Sequence, residues 1–305
     1  MGKRQGLFRR FLTAFFFLSG LSLGLHALAD IQVTDDLGRS VTLEQPAQRL
    51  IALAPHIVEN VYSAGAGDRL LAAVDYSDYP PQAQKLPPLG SAQSVSVEAV
   101  VALDPDLVLM WATGNSRTLR QQLERLGINV YVDEPRTLED VARSVRSIGA
   151  LTGTGDTAER AARGHLDRLA ELRAQYSERI PVSVLYQVWH QPLQTLNGEH
   201  LVSDVIRLCG GRNVYADAKP LAPTINMESV LERDPQVIVA SGMGEARPDW
   251  LDDWKSWSEL TAVRQDNLFF VPPDLIQRHT LRILDGAERF CRHIDLARQR
   301  LSDAP

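Results

Sequence analysis

The sequence is expected to fold as an α/β protein: two Rossmann-like lobes with parallel sheets, joined by one long inter-lobe helix. Three observations lead there. One stretch occurs twice at a constant offset, short apolar runs alternate with segments of helix length, and a long segment almost free of glycine and proline separates the two halves.

The repeated stretch is the strongest of these. Its first copy is Val97–Leu109 and its second is Met227–Val239, with Glu98 matching Glu228 and Asp104-Pro105 matching Asp234-Pro235, 130 residues apart in each case. Each copy reads as a short helix opened by a glutamate and stopped before Asp-Pro. Proline cannot continue a helix and disfavours helical geometry in the residue before it. The apolar run that follows, Leu107 to Met110 in the first copy, has no polar alternation and so suits a parallel strand buried on both faces.

The N-terminus stands apart. Lys3, Arg4, Arg9 and Arg10 precede an apolar run from Phe11 to Leu25, and Ala27-Leu28-Ala29 has the small-x-small form of a cleavage site. These are the three parts of a signal peptide, assigned to residues 1–29, so the mature protein is expected to be soluble and exported, starting near Asp30. Removal of the four basic residues moves the formal charge from −6 to −10. An acidic chain without a basic block is a poor nucleic-acid binder, and none is expected as partner. With 305 residues, 44% hydrophobic and 23% charged, the chain can form two packed domains. Cys209 and Cys291 are the two cysteines, which in an oxidising compartment suggest one disulfide.

Taken in order, Ile31 to Leu43 alternates about an Asp-Leu-Gly turn and reads as a hairpin. Arg49–Ala54 is the first buried strand, followed by a helix from about His56 to Ala64 and a strand from Leu70 to Val74. After the first repeat, Asn115 can cap a helix that runs to Leu126. A strand from Asn129 to Val132 and a helix from Thr137 to Ala150 complete a lobe of residues 30–152. Thr157 to Arg179, within 153–180, has apolar residues at helical spacing and is read either as a semi-rigid rod between lobes or as an ordinary packed helix. The second lobe, 181–305, begins with the strand Val182–Val188 and a helix Leu201–Leu208. It continues through the second repeat, the amphipathic segment Asp249–Trp257 and the strand Asn267–Val271, and ends in a helix from Thr280 to Leu301.

In open parallel sheets ligands meet the loops at the carboxyl ends of the strands. Those loops carry His56, Tyr76, Trp111, Trp189, His190, Ser241, Gly242, Met243, Asp274 and Arg278, the candidate ligand-binding residues. Two such rims facing each other make a cleft with broad aromatic surfaces and few charges, suited to a large, flat, partly apolar ligand with polar edges. No G-x-S-x-G, Walker A, G-x-G-x-x-G or H-E-x-x-H pattern is present, and the histidines lack metal-ligand spacing on one helix. Neither a catalytic residue nor a resident metal or cofactor is expected. Glu98 and Glu228 either favour the helix dipole or present one charge per lobe to a two-fold-related partner.

The stretch Tyr76-Ser77-Asp78-Tyr79-Pro80-Pro81-Gln82-Ala83-Gln84-Lys85 resembles a segment of BtuF-like periplasmic cobalamin-binding proteins. Val101–Val108 and Leu208–Tyr215 are similar as well, and the resemblance spans about Arg49 to Cys291. It implies a class III periplasmic binding protein, monomeric and non-catalytic, that carries cobalamin or a related corrinoid to an ABC transporter permease dimer. It further implies that Glu98 and Glu228 dock on the permease, that Cys209 pairs with Cys291, and that Tyr76, Trp111 and Asp274 occupy the ligand cleft. Ala92, Ala222 and Leu275 depart from the aromatic residues expected at cleft positions, with Trp189 as the compensating ring. A haem or ferric-siderophore carrier of the same fold, with His56 or His190 offered to iron, is the alternative. A metal-dependent enzyme is the alternative of a different class.

Overall fold

In a computed structural model of the chain, residues 30–242, 244 and 246–303 are described, and the expected signal peptide and Met243 lie outside them. The chain opens with an antiparallel hairpin, β1 (Ile31–Thr34) and β2 (Ser40–Leu43). The first lobe continues through β3 (Leu50–Ala52), α1 (Pro55–Ser63), β4 (Leu70–Ala73), α2 (Val97–Ala102), β5 (Leu107–Trp111), α3 (Arg117–Arg125), β6 (Asn129–Asp133) and α4 (Leu138–Thr152). The long helix α5 (Gly155–Tyr176) leads to the second lobe. That lobe contains β7 (Val182–Gln187), a small hairpin of β8 (Trp189–His190) and β9 (Leu193–Gln194), α6 (Leu201–Leu208), β10 (Gly211–Asn213), α7 (Met227–Arg233), β11 (Val237–Ala240), α8 (Thr261–Arg264), β12 (Leu268–Phe270), α9 (Pro273–Ile276) and α10 (Ile283–Ser302).

The two main sheets are wholly parallel and share one strand order: β4-β3-β5-β6 in the first lobe and β10-β7-β11-β12 in the second. The repeat sets their centres. Asp104 and Asp234 both end their helices in left-handed geometry, with φ of 46° and 34°. Two residues on, Asp106 and Gln236 make matching contacts. The backbone N–H of Asp106 donates to the Arg49 carbonyl and that of Gln236 to the Ser183 carbonyl. Their side-chain oxygens in turn accept from the backbone N–H of Arg49 (2.9 Å) and Ser183 (2.8 Å). Asn129 and Asn267 close each copy by donating to the carbonyls of Asp106 and Gln236, both at 3.1 Å. The strands that follow, Leu107–Met110 and Val237–Ala240, are buried throughout.

The inter-lobe helix starts two residues and ends three residues before the expected Thr157–Arg179, and it does not stand alone. Its first turns bury Ala158 in the core of the first lobe, and its last turns bury Leu169, Leu172 and Tyr176 in the core of the second. Helix α4 lies antiparallel beside it, with Val145, Ile148 and Leu151 in the first core and Leu138 and Val141 in the second. The lobes are joined by this one long helix, as expected, and α4 packed along it braces the connection. Asn115 does not cap α3. Ser116 does so, while Asn115 is taken up by the strand ends described below. The disulfide Cys209–Cys291 joins the end of α6 to α10 with a Cα–Cα distance of 4.7 Å. Closing an 82-residue separation stabilises by roughly 4–5 kcal/mol in the chain-entropy account.

Where the lobes meet, four rings form a row. His56 of α1 lies 5.2 Å from Trp111 and 5.3 Å from His279, and His279 lies 5.5 Å from His200. Burial, with Arg278 nearby, pushes His56 down to about 3. Burial and Arg136 push His200 down to about 4, and burial with its two histidine neighbours and Arg136 holds His279 well below the usual imidazole value. Asp133, fully buried with Ser144 donating to its Oδ1, is pushed up to about 7 by burial.

These shifts act in opposite directions. The unfolded chain protonates its histidines below about 6.5, and the folded one resists, so their contribution is intact above that pH and is lost as the pH falls toward 4. Asp133 prefers its proton in the folded state, so its contribution improves over part of the same descent. Three histidines outweigh one carboxyl. The melting temperature is expected to fall between pH 6.5 and 4.5, and Asp133→Asn is expected to steepen the fall by removing the opposing contribution. Thermal melts across that range check both, and a melting temperature that rises on acidification contradicts them.

Candidate ligand-binding cleft

The cleft is built from strand ends, as parallel sheets dictate. Pro55 and His56 follow β3 at the start of α1, where the missing proline N–H costs nothing. Tyr76 and Asp78 follow β4, Trp111 ends β5, Gly242 follows β11, and Asp274, Gln277 and Arg278 follow β12. Together these residues line one cavity of about 510 Å³ between the lobes.

Trp111 is held by local geometry. Asn115 Oδ1 accepts from the Trp111 backbone N–H at 2.6 Å, and Asn115 Nδ2 donates to the carbonyls of Leu53 (2.8 Å) and Ala92 (3.0 Å). One amide thus fastens the ends of β3 and β5 to the Ala92 loop. The ring folds back over Gly114, where a Cβ would fall 1.8 Å from Trp111 Cε3, so only glycine leaves room. Tyr76 sits in left-handed geometry (φ 65°) and is 79% exposed, an aromatic face presented to the cavity with no packing explanation. A non-glycine residue held at positive φ is uncommon and costs about 1–3 kcal/mol.

Arg278 organises the charges. It reaches across the lobes to Asp78 at 2.6 Å and to the Tyr76 carbonyl at 3.2 Å, and within its own lobe to Asp274 at 3.1 Å. The lining therefore carries two carboxylates and one guanidinium, while His56 stays neutral.

Of the expected residues, His56, Tyr76, Trp111, Gly242, Asp274 and Arg278 come together in this cavity. Ser241 is buried behind it, its hydroxyl donating to the Val271 carbonyl at 3.1 Å. Trp189 and His190 do not join the lining. They form β8, whose hairpin turns them toward the Asp249–Ser256 segment, and His190 stacks on Trp250 with ring centroids 5.3 Å apart. The sequence reading missed Asp78 and Gln277. Asp78 was within reach, since it lies in the loop that supplied Tyr76. Among the described residues, no three His, Cys, Asp or Glu side chains are placed to hold a metal ion.

Glu98 and Glu228 are the second residues of α2 and α7 and are exposed. Neither helix needs them as a cap, because Ser96 and Asn226 accept from the backbone N–H groups of Ala99 (3.1 Å) and Ser229 (2.9 Å).

Comparison with known proteins agrees with this architecture. A family model described as "Periplasmic binding protein" matches residues 50–275. The vitamin B12-binding protein of Vibrio cholerae is 36% identical over 255 residues, covering 83% of this chain and 91% of the relative. That of Yersinia pseudotuberculosis is 32% identical over 274 residues, covering 90% and 96%. The crystal structure of the periplasmic vitamin B12 binding protein BtuF of V. cholerae superimposes with a TM-score of 0.77 at 35% identity, over 83% of this chain and 98% of that one. The periplasmic haem-binding protein HutB of the same species shares the fold, with a TM-score of 0.69 at 20% identity over 81% and 98%. On this match and the two-lobed parallel architecture, the chain belongs to the periplasmic binding protein family, in its class III fold.

Proposed function

We propose that the mature protein captures cobalamin, or a closely related corrinoid, in the cleft between its lobes and delivers it to an ABC transporter permease. In this reading residues 1–29 are a signal peptide removed on export to the periplasm. Residues 30–152 and 181–305 are the two lobes, 153–180 links them, and the protein works as a monomer without catalysis or a resident cofactor. The observation that carries the choice of ligand is the charge pattern of the cleft. Asp78 and Asp274 can accept from the N–H groups of carboxamide arms, and Arg278 can donate to their oxygens. A corrin is fringed with such amides. Haem carries two carboxylates that would face Asp78 and Asp274, and like charges so placed are unfavourable. Tyr76 and Trp111 supply flat surfaces, and a cavity of about 510 Å³ takes one face of a macrocycle rather than enclosing it. One feature favours haem as the second reading: Tyr76 is an exposed phenol in the cleft, of the kind that ligates iron.

Calorimetric titration with cyanocobalamin, cobinamide and haemin separates these. Saturable corrinoid heat is expected, weakened on the order of tenfold by Arg278→Ala, which leaves two carboxylates without their partner. Haemin binding with no corrinoid heat overturns the reading.

Delivery is assigned to Glu98 and Glu228, equivalent positions on two similar lobes that suit one contact with each half of a permease dimer. Truncating one charged partner at an interface costs about 2–5 kcal/mol. Each alanine variant is expected to reduce uptake, the double variant to reduce it further, and ligand affinity in solution to remain unchanged. Normal uptake by the double variant removes the docking assignment.

A further inference from the structure

A different cavity, of about 320 Å³, lies within the first lobe, where β5 and β6 end and α3 begins. Trp111 is the one lining residue it shares with the inter-lobe cleft. Its apolar lining includes Met110 and Val132, both buried, and Leu37 of the β1–β2 turn, which is exposed. Its charged lining is Arg117 and Arg120 of α3, and no carboxylate lines it. Two guanidiniums over an apolar floor, in a chain of formal charge −6, call for an account.

Packing explains the stem of Arg120 but not its head, since an arginine can bury its methylenes while the guanidinium seeks water or a partner. The Arg120 side chain is 17% exposed, and its guanidinium reaches one acceptor among the described residues, Glu124 Oε1 at 3.4 Å. That is long for a charge-assisted bond, and a guanidinium has five N–H donors to satisfy. Glu124 is in any case already paired, because Arg39 donates to the same oxygen. The other carboxylates of this region are also engaged. Asp35 accepts from Arg39 Nε at 3.0 Å, Asp36 from Arg143 at 2.6 Å, and Glu134 pairs with Arg136 at 3.4 Å while accepting from the Thr113 backbone N–H at 2.9 Å. Arg39, Arg117 and Arg120 against Asp35 and Glu124 leave one positive charge over at the cavity.

We propose that this cavity is a binding site for a small organic monoanion, one carboxylate on an apolar body, as in a short aliphatic or aromatic acid. The fork of Arg120 takes the carboxylate, Arg117 adds its charge at the opening of α3, and Met110, Val132 and Leu37 take the apolar body. The volume is at the lower end of the roughly 300–1,000 Å³ of small-molecule sites, too small for a macrocycle and ample for one ring or a short chain. A single surplus charge matches a monoanion, and the apolar floor favours an organic acid over an inorganic ion. The inference is independent of the ligand assigned to the inter-lobe cleft, whose guanidinium is that of Arg278.

The test titrates the mature protein calorimetrically with benzoate, hexanoate and benzamide, the last being the neutral counterpart of benzoate. Three variants are titrated beside it: Arg120→Met, which keeps the apolar stem and removes the head, Arg117→Gln, and Arg278→Ala in the cleft. Saturable binding of at least one of the two carboxylates is expected, with none for benzamide. Arg120→Met is expected to weaken it on the order of tenfold, Arg117→Gln to weaken it less because that side chain is exposed, and Arg278→Ala to leave it unchanged. Thermal melts report whether each variant is folded. Arg117 is an exposed surface residue, so Arg117→Gln decides if Arg120→Met does not fold. No saturable binding of either carboxylate overturns the proposal. So does binding that both α3 variants leave intact, or benzamide binding as tightly as benzoate. Binding lost with Arg278→Ala also overturns it, because the anion would then sit in the cleft.

Discussion

Glu59 on α1 and Arg282, the residue that caps α10, meet where the lobes join. Arg282 Nε donates to Glu59 Oε1 at 2.6 Å and Nη2 to Oε2 at 2.7 Å, and the Tyr79 ring lies under the guanidinium at 3.6 Å. Glu59 is 2% exposed. A pair so placed adds little stability over an apolar one, yet removing one partner costs about 3–5 kcal/mol, because a buried charge is left alone. Its value is geometric: a bidentate pair fixes distance and angle together. The cleft hangs from it. His56 is one helical turn before Glu59, and Arg278 is four residues before Arg282. Asn60, beside Glu59, donates to the His279 carbonyl at 3.0 Å and repeats the connection with a neutral bond. The two walls of the cavity are thus set by adjacent turns of the elements the pair locks.

A junction held in this way changes what binding has to supply. With α4 and α5 sharing both cores and Glu59 held by Arg282, the lobes keep their spacing before a ligand arrives, and little ordering remains to oppose association. In the cleft Arg278 shares itself among Asp78, Asp274 and the Tyr76 carbonyl, partners that the polar groups of a ligand can replace. His56 is kept neutral by burial, which leaves the charges of the lining to Asp78, Asp274 and Arg278.

Much of this was legible in the sequence where the governing forces are local. The Asp-Pro repeat announced two matching helix–strand units, and the structure extends the match to the left-handed aspartates and to the side chains at 106 and 236. Strand ends identified Tyr76, Trp111 and Arg278, because parallel topology alone brings such loops together. Local rules failed where partners are distant. Asn115 has the chemistry of a helix cap, but tertiary demand from Leu53 and Ala92 took its amide and left the cap to Ser116. Trp189 and His190 sit at a strand end, yet the β8–β9 hairpin turns them away, since Trp250 offers a stacking surface that no short-range pattern reveals. Glu59 did leave a signal. A charged residue inside the run His56-Ile57-Val58-Glu59-Asn60-Val61 must find a partner if that face is buried, but the sequence does not say that the partner lies 223 residues away.

A crystal structure of the mature protein with cyanocobalamin tests the account most directly. The corrin ring is expected between the lobes, against Tyr76 and Trp111, with its amide arms on Asp78, Asp274 or Arg278 and the Glu59–Arg282 pair intact. A ring bound elsewhere, or lobes swung apart with that pair broken, contradicts it.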